Sequence, residues 1–131
     1  MEHERIVRGG LASYGVTQLA LGAWMVLAPG SFFDALGGFG TENAHYVRDV
    51  ATWELALGLA CLLAARAGAR GRGAVLLLAA VQALLHGVNH LADSGLAARP
   101  WVGVFDTVSL GLLAAGLLAL WRISATTEVL A

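Results

Sequence analysis

"GAVLLLAAVQALLHGVNHLAD", residues 73–93, decides the fold. Residues 73–81 carry no polar side chain, and then Gln82, His86, Asn89, His90 and Asp93 follow at intervals of three and four. That spacing belongs to one face of a helix, whereas a strand would alternate. The run is close to the ~20 residues a helix needs to cross a ~30 Å hydrocarbon core. A segment fit for lipid therefore carries two histidines and an aspartate. Ionisable groups at such depth are costly, turn toward the protein interior and call for partners on other helices.

The whole chain fits that setting. It has 131 residues, of which 58% are hydrophobic and only 13% charged, with a mean hydropathy of +0.72. A soluble domain of this size has too much surface to hide that much apolar area, so the lipid bilayer is the expected partner. The formal net charge of −1 gives no basic face and argues against nucleic acid. The one cysteine, Cys61, lies in an apolar run and reads as a small buried residue.

Four spans follow, at about residues 11–28, 44–65, 73–92 and 101–121. None alternates with period two, and an open sheet cannot span lipid. Pro29-Gly30, "ARAGARGRG" (65–73) and "DSGLAARP" (93–100) separate them, with Pro100 suited to the first turn of the last helix. Trp24, Tyr46, Trp101 and Trp121 fall near span ends, where amphipathic rings favour the headgroup region. The first span reads as a retained helix, because it is longer than a signal-peptide core and "APGSFF" is a poor cleavage site. Arg5, Arg8, Arg66, Arg70, Arg72 and Arg122 lie in the two tails and the middle loop, while the first loop carries only Asp34 and Glu42. Positive charge stays cytoplasmic. The expectation is a single-domain, all-α, four-helix transmembrane bundle, multi-pass in the inner (plasma) membrane, with both termini cytoplasmic.

Depths follow from the ~1.5 Å rise per residue. Asp49, His86 and Asp106 lie roughly 8–9 Å in from the outer ends of three different spans, with His45 and His90 just above them. Gln18, Glu54, Gln82 and Ser109 form a second layer roughly 14–15 Å in, to which all four helices contribute. On the second span His45, Asp49 and Thr52 share a face. Glu54 lies about 140° away from Asp49, which turns it toward the first helix and Gln18. Beside the polar stripe of the third span, Ala79, Ala83 and Gly87 repeat every four residues, a spacing that lets a neighbouring helix approach closely.

Two chemistries fit the upper layer. His86 and His90, at i and i+4, can bind one ion from one helix face, with Asp49, Asp106 and His45 completing the set. Mixed imidazole and carboxylate ligands suit zinc, iron or divalent copper. The plainer reading has the histidines pairing with the two aspartates, so that the groups satisfy one another. Glu54, Gln18, Gln82 and Asn89 read as a polar core, with Glu54 neutral and hydrogen-bonded. Arg48, next to Asp49, reads as a side chain that snorkels to the rim. The "GGFG" of residues 37–40 reads as loop flexibility.

The stretches "FFDALGGFGTENAHYVRDVATWELALGLA" and "AAVQALLHGVNHLAD" resemble small four-helix actinobacterial membrane proteins of the DoxX-like superfamily. Residues 11–121 share the resemblance, which falls on His45, Arg48, Asp49, His86 and His90. It implies the four-helix fold and says little of activity. Three functions stay open. The cluster holds a metal for redox or hydrolytic chemistry, it binds or moves a small molecule or protons without metal, or it only fixes helix register in an accessory subunit. A homo-oligomer or a membrane partner subunit fits each, and the residues do not say whether the chain is an enzyme.

Overall fold

The computed structural model describes the backbone of residues 2–129 and the side chains of residues 2–125. Helices α1 (Glu2–Leu27), α3 (Ala44–Ala64), α4 (Ala69–Asp93) and α5 (Pro100–Val129) cover the four expected spans to within a residue. A single turn, α2 (Pro29–Phe32), sits in the first loop. Among the described residues no strand forms, and the only β pairing is an isolated bridge between Phe39 and Ala97.

The helix ends have local causes. Pro29 and Pro100 open α2 and α5, where a missing backbone N–H costs nothing. Asn43 caps α3, its Oδ1 accepting from the backbone N–H of His45 at 3.0 Å and of Tyr46 at 3.4 Å. After α2 a π-helical turn runs from Phe33 to Gly37. Gly40 then adopts φ +72°, a left-handed conformation that favours glycine. "GGFG" is thus not simply a flexible linker. The Ala98 N–H donates to the Gly38 carbonyl at 2.7 Å and clips the first and last loops together.

Three helical segments, Glu2–Leu27, Ala69–Leu96 and Pro100–Ala125, are long and apolar enough to cross a membrane. Large apolar side chains such as Leu63, Leu85 and Leu112 point outward from the helices, as suits a surface bathed in lipid. These features mark a membrane protein. α3 falls outside that group because Arg48, Asp49 and Glu54 interrupt it.

α1 packs along α3 and α4 along α5, and the two pairs meet more sparsely. Small residues set both pairings. Gly15 and Gly58 bring the α1 and α3 backbones together. Ala79, Ala83 and Gly87 are buried on α4, where a Cβ on Gly87 would stand 3.3 Å from that of Leu110 on α5. Val7, Leu11, Leu57, Cys61, Leu76 and Leu117 fill one core, with Cys61 fully buried as expected. Below it a polar clasp ties the chain. Glu4 accepts from Arg8 at 2.8 Å and from Arg72 at 3.3 Å, and Arg8 also donates to the Ala65 carbonyl. Arg72, placed in a loop by the sequence reading, belongs to α4 and is buried, where it donates to the Ala67 carbonyl.

Candidate functional site

Between the two helix pairs, toward the end where Phe39 lies, is a cavity of about 890 Å³. That is within the roughly 300–1,000 Å³ of small-molecule pockets. All four long helices reach it. The expected deep layer converges here, since Gln18, Glu54, Gln82 and Ser109 all line this one space. Gln18 Nε2 donates to Glu54 Oε2, and both residues are buried. This is the partnership that the helical phase of Glu54 predicts. The Ser109 hydroxyl is turned back onto its own helix, donating to the Asp106 carbonyl at 3.2 Å.

Three of the five upper-layer residues converge as well. His86, Asn89, His90, Asp93 and Asp106 line the cavity. The Nε2 atoms of His86 and His90 are 3.0 Å apart, a hydrogen-bond distance. His90 Nδ1 lies 3.5 Å from Asp106 Oδ2, close enough for charge pairing but not hydrogen-bonded. For neutral rings, one proton arrangement suits both contacts. His90 carries its proton on Nδ1, facing Asp106, and His86 donates from Nε2 to the bare Nε2 of His90. The Phe39 ring covers this pair edge-on, its centroid 4.8 Å from that of His90. The clipped loops hold it there.

His45 and Asp49 do not join them, and this corrects the expected five-residue ligand set. They lie 3.4 Å from one another with side chains 78% and 60% exposed, and neither lines the cavity. The reason is the rotation of α3. Ala51, Glu54, Leu57, Gly58 and Cys61 form its buried face, and Tyr46, Val47 and Val50 continue along it into the cavity. His45 and Asp49 fall on a neighbouring face. Arg48 is exposed as well, its Nε 3.5 Å from the Val26 carbonyl. Among the described residues, no group of three or more His, Cys, Asp or Glu side chains is arranged to hold a metal ion.

The sequence reading missed several lining residues. Tyr14, Phe32, Phe33 and Phe39 face the cavity, as does Tyr46, which was read as a headgroup anchor. The Tyr14 hydroxyl is buried with no hydrogen-bond partner among the described residues. The signal for the phenylalanines lay in "SFFDALGGFG" (31–40), which is too aromatic for a loop that only meets water.

No family model matches the chain, and neither does any curated protein or solved structure.

Proposed function

We propose that this chain is a multi-pass protein of the plasma membrane that binds an amphipathic small molecule, without metal, in the cavity between its helix pairs. All four long helices cross the bilayer as one bundle, with both termini and the Arg66–Arg72 turn in the cytoplasm. α3 crosses because Glu54 faces the cavity, Arg48 snorkels toward the outer rim, and Asp49 pairs with His45 within the first two turns. The cavity then lies in the outer half of the bilayer. The DoxX-like resemblance is part of this proposal. Of its five positions, His86 and His90 line the cavity and His45, Arg48 and Asp49 lie outside it.

The observation that carries the reading is the lining itself. A large, mostly apolar space holds a few converging polar groups, and among the described residues the buried Tyr14 hydroxyl there has no hydrogen-bond partner. Buried polar atoms of this kind are uncommon and call for a partner. A metal ion is the weaker reading. The two imidazoles are engaged with each other, and Asp49 is on another face of α3.

The test is saturable binding of a neutral amphiphilic fluorophore, 6-propionyl-2-(dimethylamino)naphthalene, to protein purified in a non-ionic detergent. Wild type should bind about one equivalent. Ser109→Phe, which fills the deep part of the cavity, should bind none at unchanged melting temperature. Equal binding by both proteins would refute the reading.

A further inference from the structure

We infer that the ligand class taken by this cavity is a lipophilic organic cation. This rests on the cavity reading above. The first observation is charge. The described lining residues include three carboxylates, Glu54, Asp93 and Asp106, and no Arg or Lys. Arg48 is close in sequence, but its guanidinium is turned out toward the Val26 carbonyl. The second is the ring content. Tyr14, Phe32, Phe33, Phe39, Tyr46 and Phe105 line the same space. Aromatic faces attract a cation through their quadrupole, and more strongly where water is excluded. The third is the unpartnered Tyr14 hydroxyl, nine-tenths buried on this wall, which can accept from an ammonium N–H or turn its ring face to a quaternary centre.

An anionic ligand meets the opposite conditions. It would find no fixed positive group, and of the lining side chains only the histidines can carry a positive charge. Their mutual contact and the nearby Asp106 leave little to give. A neutral ligand would use the amides of Gln82 and Asn89 but leave the carboxylates without benefit. A cation needs no preformed ionised carboxylate, because an opposite charge within ~4–6 Å itself favours the charged form. The apolar body of such a ligand suits the mostly apolar wall. The sparse seam between the helix pairs offers a route from the bilayer, where such molecules concentrate.

The experiment compares two ions of one shape and opposite charge, tetraphenylphosphonium and tetraphenylborate. Each is titrated into the purified wild-type chain in non-ionic detergent, with the neutral fluorophore run in parallel. The cation should bind at least about tenfold tighter than the anion, corresponding to about 1.4 kcal/mol. Asp106→Asn and Glu54→Gln, which preserve shape, should each weaken the cation severalfold more than they change binding of the neutral fluorophore. If the anion binds as well as the cation while the fluorophore still saturates, the charge inference is overturned and the cavity reading stands. The same holds if the cation binds but neither substitution moves it. If neither ion nor fluorophore binds, both the inference and the cavity reading fail.

Discussion

Gly58 offers a sharp test of how α1 and α3 meet. A Cβ at this position would stand 2.9 Å from the Gly15 carbonyl oxygen, 2.9 Å from Leu19 Cγ and 3.0 Å from the Leu19 backbone nitrogen. Two of the three atoms are backbone and cannot rotate away. Gly58→Ala must therefore push α1 off α3 by several tenths of an ångström. Overpacking of this kind costs about 1–3 kcal/mol. Against it stands the better helix propensity of alanine, a gain of up to about 1 kcal/mol. The expected net is a loss of about 1–2 kcal/mol. Gly116 on α5 is the control, because a Cβ there meets nothing within 4 Å. Gly116→Ala keeps the propensity gain alone and should be neutral or slightly stabilising. Both melting temperatures are read from tryptophan fluorescence in one detergent. The displacement also reaches the site, because Glu54 lies one turn from Gly58 and Gln18 one turn from Gly15. Equal melting temperatures for the two variants would refute this account of the interface.

The Gln18–Glu54 contact should show as a coupling. In a double-mutant cycle with Gln18→Leu and Glu54→Leu, the interaction energy should be about 0.6–1.7 kcal/mol by thermal melting, the range of interhelical hydrogen bonds in membranes, and a value of zero would contradict the pairing. His45→Ala and Asp49→Ala should each change stability by less than about 0.5 kcal/mol, as for other exposed positions, and leave fluorophore binding intact, whereas His90→Ala should alter binding. Equal effects at the three positions would mean that α3 is rotated differently. Cys61, fully buried, should resist maleimide labelling until the protein is denatured, and rapid labelling of the folded protein would contradict its place in the core.

The sequence told most about helices and least about their rotation. The four long helices were legible, three of them apolar enough to cross a membrane, because lipid demands length and apolarity, and both are properties of consecutive residues. The partnership of Glu54 with Gln18 was legible too, since the helical angle between Asp49 and Glu54 forbids both from facing one neighbour. Which of the two faces inward was not. That choice lies with Gly58, whose missing side chain lets α1 approach and so turns the Ala51–Glu54–Leu57–Cys61 face inward. Histidines and aspartates attract attention, but here glycine decides where they point. The aromatic wall was hidden for another reason. Phe39 reaches the histidines only because Gly38 and Ala98 join loops about sixty residues apart in sequence, a contact no local pattern announces.

The same packing explains why a cavity exists at all. Gly15 and Gly22 on α1 and Gly58 on α3 are used up in joining that pair, and Ala79, Ala83 and Gly87 on α4 in seating it against α5. The polar stripe of α4, from Gln82 to Asp93, lies beside its small stripe, touches α5 through His90 and Asp106, and does not face lipid favourably. Turning it toward the other pair is the low-energy choice in a bilayer, because unpartnered polar groups there are costly. The other pair answers with Gln18 and Glu54, which are already bonded to each other, with the Tyr14 hydroxyl, and with phenylalanine rings that offer a carboxylate no donor. Close packing along this seam would bury Asp93 against rings and leave Asp106 with only His90 beside it. A space that admits a positively charged guest removes that conflict, whereas in a bundle built only for register the seam would be closed with leucine.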